Sequence, residues 1–155
     1  MWNELQSVLQ EEIKLHRKLK ETLGSLREAI VLRDSVKLEE ILEFQSELGK
    51  EIQNLENKRV ALCRKLIQQE GVIRLSELVE YAPKSMRKVF VRLRNEMISL
   101  LEQIQREVRV MRYVVRTVLG YVEEMISIFT AGELMAYDST GSKVRSKGYI
   151  YSASA

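Results

Sequence analysis

The chain has 155 residues and a formal net charge of +3, from 25 Lys and Arg against 22 Asp and Glu; that balance is too small to demand a polyanionic partner. With one proline, seven glycines and 45% hydrophobic residues, the composition excludes low-complexity and sheet-dominated classes and favours long helices in a single domain. Cys63 has no second cysteine to pair with and nothing at Met1 reads as a signal peptide, so a reducing cytoplasm is the expected location.

The first helix is expected from about Asn3 to Arg33. Its stripe, Leu5, Leu9, Glu12, His16, Leu19, Leu23, Leu26 and Ile30, alternates steps of four and three, which is a heptad seam. Asp34 is placed to cap the next helix by accepting from free amides near Lys37. The short link implies an antiparallel turn.

The second helix is expected from about Ser35 to Gln69, on the seam Leu38, Ile41, Gln45, Leu48, Ile52, Leu55, Arg59, Leu62 and Leu66. Gly71 is the expected stop. A short helix follows at Leu75 to Tyr81. Pro83 then stands where a new helix can begin, because a first turn does not need its missing amide.

The last helix is expected from about Lys84 to Phe129. Its stripe is Phe90, Leu93, Met97, Leu100, Ile104, Val108, Met111, Val115, Val118, Val122, Met125 and Phe129. Two consecutive steps of four, between Leu100 and Val108, are a small stutter. From Ala131 the composition turns to Ser, Gly and Ala, which reads as a mobile or partner-ordered tail. The fold class is therefore all-α: an antiparallel helical bundle or coiled coil of three long helices plus one short helix, with a flexible C-terminal tail. The bundle domain is assigned to 1–130 and the tail to 131–155.

Length singles out the end of the last helix. The first two helices form a hairpin of roughly 45–50 Å at 1.5 Å per residue. A third helix running beside it uses up its neighbours near Val114. The part from Val115 onward is expected to overhang by roughly 20 Å or more. That part carries Val115, Val118, Leu119, Tyr121, Val122, Met125, Ile126, Ile128 and Phe129. Such a surface calls for a partner: a second copy, the tail or a different protein. The alternative is that the hairpin or the tail covers it as ordinary core. The run does not cross a bilayer, because Arg112, Arg116, Glu123 and Glu124 interrupt it and a span needs about 20 mainly apolar residues.

Two seam positions are polar. In a hairpin closing at Asp34, Glu12 lies within a turn of Arg59, and a buried pair there sets register more than it stabilises. Gln45 lies level with Leu23. A metal reading of Glu12 and His16 fails on spacing and on the single histidine, since di-iron bundles use two Glu-x-x-His pairs. No metal and no cofactor is expected.

Catalytic signals are weak. There is no Gly-rich phosphate loop, and Cys63 beside the seam residue Leu62 reads as a buried structural thiol. The chain is read as not an enzyme. Nine basic residues lie between Lys84 and Arg116, among them Arg106, Arg109, Arg112 and Arg116, against three acids. That stripe offers a nucleic-acid alternative. The blander account is salt bridging to the acids of the second helix, and Tyr113 alone supplies no stacking platform. A generic coiled-coil scaffold is the other alternative.

Several features resemble the FlgN-type flagellar export chaperones. These are the rhythm Glu12, Leu19, Leu23; Asp34 at the turn before Leu38 and Ile41; LENKRVAL with its arginine at Arg59; RLSELVEYAPKSMRKVFVRLRNEM; and Tyr137-Asp138-Ser139-Thr140-Gly141 in a Ser/Gly-rich tail. Where the family carries an asparagine midway along the last helix, this chain reads MRYVV. The resemblance implies a cytoplasmic, non-enzymatic chaperone. It would bind the C-terminal helical segment of hook–filament junction proteins (FlgK and FlgL type), prevent their premature assembly, and hand them to the type III export machinery. No nucleic acid and no membrane insertion are implied, and a homodimer is possible in the absence of client. The implied client surface is Met111, Val115, Val118, Leu119, Val122, Met125, Ile126 and Phe129, with Leu134 and Tyr137 closing over it.

Overall fold

The computed structural model describes residues 1–68, 71 and 73–139, and for 133–139 the backbone only. All regular structure among them is helical: α1 (Trp2–Val31), α2 (Ser35–Ile67), α3 (Leu75–Tyr81) and α4 (Arg87–Ser139). The chain divides into two compact units, Met1–Met111 and Arg112–Ala155.

In the first unit, α1 and α2 form the expected hairpin. Its turn closes with Arg33 in the left-handed region at φ 56°. The Asp34 amide donates to the Ala29 carbonyl at 3.0 Å and the Arg33 amide to Ile30 at 3.2 Å, a Schellman arrangement that uses up two of the helix's last free carbonyls. Asp34 then caps α2, its carboxylate accepting from the Lys37 amide at 3.0 Å. Pairs across the hairpin run in opposite directions: Glu4 with Lys58 at 3.2 Å, and Thr22 accepting from Gln45 at 3.0 Å.

Charged side chains tie α4 to α1. Arg17 pairs with Glu96, Lys20 donates to Gln103 at 2.6 Å and Arg27 meets Glu107 at 3.3 Å. Numbers rise together on both helices, so α4 runs parallel to α1 and antiparallel to α2. The offset at Arg27 and Glu107 is 80 residues, which puts Val31, the last residue of α1, level with Met111.

The core gathers all four helices: Leu5, Leu9 and Ile13 of α1, Leu62 and Cys63 of α2, Leu78 and Val79 of α3, and Phe90, Leu93 and Met97 of α4. Short α3 therefore seals the end of the unit opposite the hairpin turn, and its Leu78 is almost fully buried. Trp2 meets Phe90 edge-on, with ring centroids 5.5 Å apart.

Three boundaries differ from the sequence reading. α2 stops at Ile67, with Gln68 in the left-handed conformation at φ 56°; Gly71, at φ 125°, bends the following loop. α4 begins at Arg87 because residues 84–86 form a turn whose Met86 amide bonds to the Pro83 carbonyl at 2.9 Å. It continues to Ser139, ten residues past Phe129. Glu133, Leu134, Met135 and Ala136 are good helix formers and carry it past the small residues Ala131 and Gly132.

Candidate functional site

The second unit, described by itself, is α4 from Arg112. Val115, Val118, Leu119, Val122, Met125, Ile126 and Phe129 fall within an arc of about 120° at 3.6 residues per turn. They form one stripe, and all but Met125 are exposed: Leu119 by 55% and Phe129 by 68%. Met125 is intermediate. Tyr121 and Ile128 are also exposed and widen the stripe on one flank. They belong to the expected overhang but not to the expected client contacts; the signal that could find them is their place beside the stripe. Arg112, Arg116, Glu123 and Ser127 take the other side of the helix.

Met111 departs from this set. It is only 9% exposed and ends the first unit, so it is core and not docking surface. Leu134 and Tyr137 lie on the helical backbone of α4, but their side chains are outside the described residues, as is the segment 140–155.

The stripe is apolar along its length. It offers branched aliphatic side chains, one methionine and one phenylalanine in heptad order, which matches an amphipathic helix laid alongside. Met125 adds a side chain that adapts to its neighbour.

Glu12 and Arg59 lie in the first unit. Glu12 is 2% exposed, and the Nε of Arg59 donates to both its oxygens, at 3.1 and 3.0 Å. Burial nonetheless holds the Glu12 carboxyl above its usual range, with Arg59 pulling the other way. His16 is turned onto its own helix, its Nδ1 donating to the Glu12 carbonyl at 2.7 Å. The carboxylate is thus committed to Arg59, and the imidazole is oriented by the backbone. Among the described residues no group of three potential ligands is placed to hold a metal ion. Cys63 is buried, and burial pushes its thiol up, away from the thiolate that nucleophilic chemistry needs.

A groove of about 560 Å³ runs between α1 and α4, lined by Arg17, Lys20, Gly24, Glu96, Gln103 and Glu107. Arg17 pairs with Glu96 across it, Lys20 with Gln103, and Arg27 with Glu107 at its edge. Those pairs also correct the expectation for the basic stripe of α4. Among the described residues no ion pair joins α4 to the acids of α2; the α4 acids Glu96 and Glu107 receive arginines from α1 instead. The cause is geometric, since α1 supplies the basic residues on the side facing α4. Arg106, Arg109, Arg112 and Arg116 are exposed.

A family model described as FlgN protein matches residues 1–145. No curated protein and no solved structure matches the chain. Among the described residues, no helix is long and apolar enough to cross a membrane.

Proposed function

Because the chain belongs to the FlgN family of flagellar export chaperones, we propose that its client is a hook–filament junction protein of the FlgK or FlgL type, held by its C-terminal helical segment. The client helix lies along Val115, Val118, Leu119, Val122, Met125, Ile126 and Phe129. Covering the client's own assembly helix prevents premature polymerisation until type III export. In this reading the chain works in the cytoplasm without catalysis, cofactor or metal.

The single observation that carries the proposal is the exposed stripe itself. A helix that leaves this many large apolar side chains in water is incomplete alone, since monomers seldom expose contiguous apolar patches beyond about 300–600 Å². Burying a side chain of this kind contributes about 1.5–3 kcal/mol before ordering costs. A few good contacts therefore supply useful affinity.

The test is co-purification of a hook–filament junction protein with the chain, with and without residues 115–155. Capture by the full chain and its loss on truncation are expected. Equal capture by both would place the client on the first unit instead.

A further inference from the structure

The exposed stripe sits on a helix that its own composition weakens. Eight of the 21 residues from Arg112 to Gly132 are β-branched, and such side chains lose rotamer freedom against the preceding turn. Arg112 and Arg116 stand four apart and repel, and neither Glu123 nor Glu124 has a base three or four residues away. The charge pairs that support an isolated helix are therefore missing. Thr117 and Thr130 donate back to the carbonyls of Tyr113 and Ile126, each at 2.9 Å, a bond that slightly destabilises a helix.

Gly120 lies in the middle of this stretch. It is exposed, and a Cβ added there would meet nothing within 4 Å. No close approach requires glycine, so its cost against alanine in a helix interior is uncompensated.

Packing does not make up the loss. From Arg112 to Gly132 every residue is exposed or half-exposed. Earlier in the same helix, Phe90, Leu93, Met97, Leu100 and Ile104 stand in the core of the first unit. Helices in proteins owe most of their stability to such packing and little to propensity. We propose that α4 from Arg112 to Gly132 opens as a unit of its own while the first unit stays folded, and that Gly120 sets how readily it does so.

Binding elements are commonly drawn from the least stable parts of a fold. A helix laid on the stripe supplies the missing packing and holds the segment closed. Unwinding of the segment lets that helix go without any change in the first unit. This use of the opening rests on the client reading. The opening itself is a property of the free chain and is tested without a client.

The test is hydrogen exchange of the full chain, free of client, read by mass spectrometry for the native sequence, Gly120→Ala and Gly49→Ala. Gly49 is the control: it too lies inside a helix, exposed and with open space at its Cβ, but in the first unit. In the native chain, amides 115–130 are expected to exchange on the order of tenfold or more faster than amides 93–104. Gly120→Ala is expected to slow 115–130 about fivefold on both sides of residue 120 and to leave 93–104 unchanged. Gly49→Ala is expected to leave 115–130 unchanged. Exchange at 115–130 as slow as at 93–104, or slowed alike by both variants, would overturn the separate opening. Slowing confined to one side of residue 120 would mean fraying from the end and would overturn opening as a unit.

Discussion

Arg59 reaches across from α2 to α1 and holds both oxygens of Glu12 through its Nε, at 3.0 and 3.1 Å. The carboxylate is buried while Arg59 retains 17% side-chain exposure, so the two ends of the pair are unequal. Removing the arginine leaves a buried acid without its partner. Arg59→Met is expected to lower stability by about 3 kcal/mol, the low end for a broken buried pair because Glu12 can take up a proton. The double variant Glu12→Leu with Arg59→Leu is expected to be near neutral or more stable. Chemical denaturation of the singles and the double, read as a cycle, checks both.

The pH dependence follows from the direction of the Glu12 shift. Burial raises its carboxyl above the ordinary value, so the folded state binds that proton more tightly than the unfolded chain does. The contribution is fully present below the ordinary glutamate range, about pH 4.3, and is lost as pH rises through the higher folded value. Relative to Glu12→Gln, the native chain is therefore expected to gain stability on acidification from neutral pH. Denaturation of both proteins across that window measures it. A relative loss on acidification would mean that the Arg59 pair outweighs burial.

The hairpin turn carries an avoidable strain. Arg33 sits at φ 56°, where an L side chain costs roughly 1–2 kcal/mol and glycine does not. Its side chain is exposed and has no hydrogen bond or ion pair among the described residues, so Arg33→Gly is expected to stabilise the chain by about 0.5–1 kcal/mol. Thermal melting reads the change as a rise of roughly 1–4 °C.

Salt separates the two readings of α4. If the apolar stripe binds the client, affinity holds between low and high salt, and Arg109→Ala, Arg112→Ala and Arg116→Ala together change it little. Binding driven by those arginines would instead fall by orders of magnitude with salt. Titration at two salt concentrations decides.

The helices were legible because their signals are local and repeated. The heptad steps of α1 and α2, the Asp34 cap and the long seam of α4 each leave few alternatives. The polar seam pair was legible for the same reason: Glu12 and Arg59 fall at matching depths of a hairpin whose turn is fixed by Asp34. What escaped depends on geometry between elements. Nothing in the sequence says that α1, and not α2, supplies the basic partners of Glu96 and Glu107. That Met111 is buried depends on where α1 ends beside α4. Gln68 in a left-handed cap has no compositional signal, and Gly71 three residues later was the more obvious stop. The extension of α4 to Ser139 was hidden by Ala131 and Gly132, which read as loop.

The most direct measurement is calorimetric titration of the full chain with the C-terminal helical segment of a hook–filament junction protein, comparing the native sequence with Val122→Asp and Met125→Asp together. Helical content and melting are followed in parallel. The native chain is expected to bind and the double variant not to, while both melt alike, because these side chains lie on an exposed or half-exposed face. Undiminished binding by the double variant would contradict it, and so would a collapse of its melting transition, which would make the stripe core and not docking surface.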